Sequence, residues 1–93
     1  MQNLLNSLNV SLKEVQVIVL DSSNSWRVKN EIFLGKRHGA WFPKNVQIQP
    51  GPAIFYSPNR GQFIEVLIER VEKTNRQLVC WREVILKIKV AET

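Results

Sequence analysis

The sequence predicts a mostly β protein, and three observations carry that prediction. Apolar and polar residues alternate at period two in four separate segments. Clusters of Gly, Pro, Asn, Asp and Ser punctuate the chain at short intervals. No long helical pattern alternates with the strands, so five to six antiparallel strands are expected.

Leu4, Leu8 and Leu12 recur every four residues, and Leu5 widens the stripe. That spacing predicts a short N-terminal helix over residues 3–9. A strand follows over residues 14–20, where Val15, Val17, Ile18 and Val19 supply β-branched side chains. Residues 21–25 are a turn signal of Asp21, Ser22, Ser23, Asn24 and Ser25. The next strand covers residues 26–34. Trp26, Val28, Ile32 and Leu34 fall on one face, and Arg27, Lys29, Glu31 and Phe33 on the other. Gly35 and Gly39 bound a hairpin loop. Its return strand, residues 40–48, contains Pro43, which cannot donate to a ladder and so implies an edge or a bulge. A stiff turn at Pro50, Gly51 and Pro52 precedes a short strand over residues 53–57. Pro58, Asn59, Arg60 and Gly61 then have type I turn chemistry.

Residues 62–73 read in two ways. As a helix, Gln62, Glu65, Glu69, Glu72 and Lys73 line a polar face, and the fold becomes α+β. As a strand, Ile64, Val66 and Ile68 share one face. The β-branched Ile64, Val66, Ile68 and Val71 favour the strand. In the last segment Val84, Leu86, Ile88 and Val90 alternate with Ile85, Lys87 and Lys89. Upstream, Val79 and Trp81 have the opposite parity, which predicts a bulge at Arg82 and Glu83. Long strands joined by short turns point to a small antiparallel barrel or curled sheet of the OB or SH3-like kind.

The chain of 93 residues is read as a single domain, residues 1–93. With 44% hydrophobic and 23% charged residues, it can fill a core without metal or disulfides. The one cysteine, Cys80, allows no internal disulfide and fits a reducing compartment. Met1, Gln2 and Asn3 lack a basic leader character, so a cytoplasmic location is expected. Apolar runs such as residues 17–20 stop far short of a membrane span, so no membrane partner is expected.

The formal net charge of +5 is segregated. Arg27, Lys29, Lys36, Arg37, Lys44 and Arg60 face only Glu31 within residues 26–60, while the rest of the chain is neutral. Such asymmetry points to an acidic partner, with nucleic acid the commonest kind.

Catalytic chemistry finds little support. His38, the only histidine, lies in the basic loop and reads as a solvated turn residue. Cys80 sits in an apolar run, where a buried hydrophobe fits better than a nucleophile. One Cys and one His cannot build a usual zinc site, and Glu65, Glu69 and Glu72 read as a solvated stripe. No catalytic residue, metal or cofactor is therefore expected. What remains is a basic segment interleaved with aromatics, the combination that single-stranded nucleic acids require. The expectation is a non-catalytic nucleic-acid-binding domain, with single-stranded DNA or RNA favoured. Arg27, Lys29, Lys36, Arg37, Lys44 and Arg60 would follow phosphates, and Phe33, Trp41 or Tyr56 would stack on bases. Trp26 and Phe55 are assigned to the core. The alternative is a protein–protein interaction module, or a small structural or adaptor subunit of a larger assembly, with a homodimer left open.

The alternation near the C-terminus makes a direct test. Leu86→Ala should cost about 2–5 kcal/mol in a denaturant titration, and Lys87→Ala close to nothing. Equal shifts in the two midpoints would show the register to be wrong.

Overall fold

The computed structural model describes residues 6–20, 32–34 and 37–89. Seven strands run through them: β1 (Asn6–Ser11), β2 (Gln16–Val19), β3 (Ile32–Leu34), β4 (Arg37–Phe42), β5 (Gly51–Ser57), β6 (Gln62–Lys73) and β7 (Gln77–Lys89). They form one mixed sheet of order β2-β5-β6-β7-β4-β3, with β1 joined to β7. The protein is thus mostly β, as expected, but the sheet does not close into a barrel. The outermost strands in that order, β2 and β3, do not pair with each other. Nor is the sheet wholly antiparallel, because β1–β7 and β2–β5 are parallel pairs.

The expected N-terminal helix is a correction. Residues 6–9 of that stretch belong to β1, paired in parallel with β7 so that Leu8 lies beside Leu86 and Val10 beside Ile88. Leu8 and Val10 bury against the same cluster, a period-two pattern, while Leu12 is left exposed. The exposed edge of β7 supplies the backbone partners that a helix would have found internally, and that long-range pairing overrides the leucine spacing. A single 3₁₀ turn, Leu12–Glu14, then leads into β2, its start held by Ser11 N–H donating to Glu14 Oε1 at 2.9 Å.

Residues 62–73 are strand, and the helical alternative is overturned. β6 pairs with β5 on one side and β7 on the other. The bulge expected at Arg82 and Glu83 is absent, since both pair in regular register with Leu67 and Val66; the one register shift between β6 and β7 lies in β6, between Ile68 and Arg70. β7 runs unbroken for 13 residues, and its change of parity has another cause. Val79 and Trp81 belong to one core cluster, Val84 and Leu86 to a second. The two clusters lie on opposite faces of the same strand, so no extra residue is needed.

The first cluster holds Ile18, Leu20, Ala40, Phe42, Ala53, Phe55, Val66, Ile68, Val79 and Trp81, among others. Phe55 meets Trp81 edge-on at 4.9 Å and lies nearly parallel to Phe42 at 5.8 Å, ring separations that aromatic pairs favour. The second gathers Val10, Val84 and Leu86 with Leu8, Val15, Ile54, Leu67 and Ile88. The sequence assignment of Val84, Leu86 and Ile88 to a core face, with Lys87 and Lys89 exposed, agrees with this. Val90, Trp26 and the turn over residues 21–25 lie outside the described residues.

Two loop expectations change. Leu34 pairs with Arg37, so Arg37, His38 and Gly39 belong to β4 rather than to a hairpin tip. Pro43 ends β4 instead of sitting within an edge strand, and β4 is flanked by β7 and β3. The turn after β5 is as expected. Arg60 N–H donates to Ser57 O at 3.2 Å, and Gly61 adopts φ +62°, a left-handed conformation that suits glycine.

From Pro43 to β5 the chain crosses the first core as a strap without regular pairing, burying Ile48 and packing Val46 there. Two glutamines stand in for the missing ladder. Gln77, fully buried on β7, donates Nε2 to Pro43 O at 2.8 Å and to Val46 O. Gln16 on β2 accepts from Gln49 N–H at 3.0 Å and donates to Gln49 O at 2.7 Å. Buried backbone groups need such partners, so the strap is fixed at both ends. Gln77→Ala should therefore cost about 2–4 kcal/mol, from an orphaned Val46 carbonyl and a new cavity. Gln16→Ala, whose bonds water can replace, should cost less than about 1 kcal/mol in the same chemical denaturation.

Candidate nucleic-acid interface

Alternation along β4 sends His38, Ala40 and Phe42 toward the first core and Arg37 and Trp41 to the opposite face. On β7, Trp81 faces that core, so Cys80 and Arg82 share the face of Arg37 and Trp41. The bulge in β6 brings Arg70 opposite Cys80 and Glu72 opposite Leu78. The hairpin between β6 and β7 adds Arg76, whose guanidinium carbon stands 4.8 Å from the centroid of the Trp41 ring.

Two glutamates organise these arginines. Arg37 Nε donates to Glu69 Oε1 at 2.6 Å, and Arg82 Nε lies 3.0 Å from Glu69 Oε2 as an ion pair off the hydrogen-bond line. Arg70 Nε lies 2.8 Å from Glu72 Oε2, and its Nη2 points to Cys80 Sγ at 3.9 Å. Each carboxylate lies against Nε; at Arg37 the hydrogen bond orients the guanidinium plane and leaves both terminal nitrogens for another acceptor. Four arginines (Arg37, Arg70, Arg76, Arg82) against two glutamates leave this cluster cationic.

The expected site residues are only partly gathered. Arg37 and Trp41 come together on β4, the first exposed and the second half-buried. Tyr56 is exposed on β5, three strands away, and Arg60 sits in the turn beyond it. Lys44 lies on the strap across the other face. Phe33 is in β3 opposite His38. Arg27, Lys29 and Lys36 lie outside the described residues. Arg70, Arg76 and Arg82 escaped the sequence reading because the charge count around them is balanced by nearby glutamates. Parity alone would have placed Arg82, since it follows the core residue Trp81. Arg70 needed the bulge, which sequence alternation did not locate.

His38 is a second correction. Its ring is 5.9 Å from that of Trp81 and nearly parallel to it, and Nε2 lies 3.8 Å from Glu83 Oε2. It is a half-buried strand residue, because β4 begins before it. Cys80 is buried, as its apolar run implied. Among the described residues no group of three or more His, Cys, Asp or Glu is placed to hold a metal ion. No helix among them is long and apolar enough to cross a membrane.

A different kind of surface lies beyond β6. Val19, Tyr56 and Phe63 stand in register across β2, β5 and β6, and all three are exposed, as is Val17. Compared with known proteins, the chain matches no family model, no curated protein and no solved structure.

The pairing of Arg76 with Trp41 has a measurable weight. Arg76→Ala should lower stability by about 0.5–1 kcal/mol, the range of an exposed cation–π interaction. Glu69→Gln should change stability by no more than about 1 kcal/mol, since exposed ion pairs contribute little. A larger loss for Glu69→Gln in thermal denaturation would mean that the cluster serves the fold itself.

Proposed function

We propose that this protein is a non-catalytic nucleic-acid-binding domain, and that its contact surface is the face of β4, β7 and β6 carrying Trp41, Arg37, Arg70, Arg76 and Arg82. The observation that supports it best is the mode of pairing: glutamates sit against Nε of three arginines, by a hydrogen bond at Arg37 and by ion pairs at Arg70 and Arg82, and the terminal nitrogens of Arg37 and Arg82 are left to other acceptors. Guanidinium groups held in this way suit phosphate oxygens, which they can grip with two parallel hydrogen bonds. Trp41, half-buried with Arg76 over it, is the aromatic that a single-stranded partner would stack against or beside. Lys44, Tyr56 and Arg60 lie too far around the sheet to join this surface directly.

A second reading has its own observation. The exposed row of Val17, Val19, Tyr56 and Phe63 is the kind of apolar surface that protein partners cover. It keeps the interaction module, or a subunit of a larger assembly, as the competing function.

Salt separates the two. Binding of labelled single-stranded oligonucleotides should weaken steeply with salt. Replacing Arg70 and Arg82 by Gln should weaken binding across all sequences and shrink the salt slope by about 0.7 for each phosphate no longer neutralised. Trp41→Leu should cost about 1–3 kcal/mol of single-strand affinity at an unchanged slope. Absence of binding to any oligonucleotide at low salt would overturn the proposal and leave the apolar row as the better guide.

A further inference from the structure

The strap over residues 43–50 does more than close the first core. Between it, β2 and the end of β6 lies a cleft of about 500 Å³, within the size range of small-molecule sites. Lys44 and Lys73 line it, together with Asn45, Val46, Gln47 and Ile48 of the strap. Among the described residues no carboxylate lines it. Neither lysine has an ion-pair partner among those residues, in contrast to the glutamate-bound arginines of the opposite face.

The cleft is also held open. Gln77 fixes one end of the strap and Gln16 the other, and the Gln16 amide is engaged by Gln49. Its walls therefore need little ordering when a ligand enters, which favours affinity. Two ammonium groups without carboxylate neighbours among the described residues match a dianion better than a monoanion. A phosphate monoester carries a charge of about −1.5 to −2 at neutral pH and three strong acceptor oxygens. Inorganic phosphate alone would leave most of the volume empty, which leaves room for an organic body.

We propose that the cleft bounded by the strap, lined by Lys44 and Lys73, binds a phosphate monoester with an organic body. The shared chemistry has two sources: a free phosphorylated small molecule, or the 5′-terminal phosphate of a nucleic acid strand. The site lies on the face opposite the arginines and does not depend on the nucleic-acid reading of that face.

Calorimetric titration of the intact chain tests it. The probes are adenosine 5′-monophosphate, adenosine, inorganic phosphate, and short oligonucleotides with and without a 5′-phosphate. The phosphorylated member of at least one pair should bind at least about tenfold more tightly than its unphosphorylated partner. Saturation by the mononucleotide assigns a free small molecule; preference only for the 5′-phosphorylated strand assigns the strand end. Exchanging Lys44 and Lys73 for Gln should abolish that preference, while Lys13→Gln, outside the cleft, should preserve it. Both cleft lysines are surface groups or line open space, and the comparison of ligands on the unaltered chain needs no variant at all. Equal affinity within both pairs, no binding of any probe at millimolar concentration, or an unchanged preference in the double variant would each overturn the proposal. Loss of oligonucleotide binding in the arginine variants with the monoester preference intact would instead bear only on the opposite face.

Discussion

The structure depends on one strand that serves two cores. β7 is 13 residues long, and its first half turns Val79 and Trp81 to one face while its second half turns Val84 and Leu86 to the other. A regular strand presents alternate residues to opposite faces, so a single change of parity in the sequence hands it from one core to the next without breaking the backbone. Everything else follows that handover. β6 and β4 flank the first half, β1 joins the second half in parallel, and alternation along β5 and β6 turns Ile54 and Leu67 to the second cluster. Where the antiparallel pairing with β6 ends, Glu65 Oε1 accepts from Leu86 N–H at 3.1 Å. A side chain thus replaces the next rung of the ladder.

The same need for partners explains the strap. A connection that crosses a core without secondary structure carries carbonyls and N–H groups that must be satisfied. Gln16 does this with both the donor and the acceptor of its amide, and Gln77 with the two N–H donors of its Nε2. Burying a glutamine is costly, and the Gln77 Oε1 is left without a hydrogen-bond partner among the described residues. The cost here is offset by fixing the strap, and the fixed strap is what gives the adjoining cleft its walls. On the opposite face, glutamates perform the corresponding task for arginines. Glu69 reaches two of them, orienting the Arg37 guanidinium by a hydrogen bond and neutralising part of the Arg82 charge as an ion pair. The two faces differ in electrostatic character as a result: cations braced by carboxylates on one, lysines without carboxylate partners among the described residues on the other.

Local periodicity by itself determined a good deal. It established the β class and the reversal of parity along the last strand; residue chemistry marked the turn ending at Gly61 and the burial of Phe55 and Cys80, and β-branching favoured a strand over residues 62–73 while leaving the helical reading open. These are statements about neighbours in sequence, and steric preference and hydrophobic alternation act at that range. Tertiary structure alone decided which strands lie side by side. That choice turned the N-terminal leucines into β1, left the sheet open with two parallel pairs, put the bulge in β6, drew His38 out of a loop onto Trp81, and brought Arg70, Arg76 and Arg82 around Trp41. Each of these outcomes depends on a backbone or side-chain partner many residues distant. Alternation tells which residues share a face, but only long-range pairing tells what that face will meet.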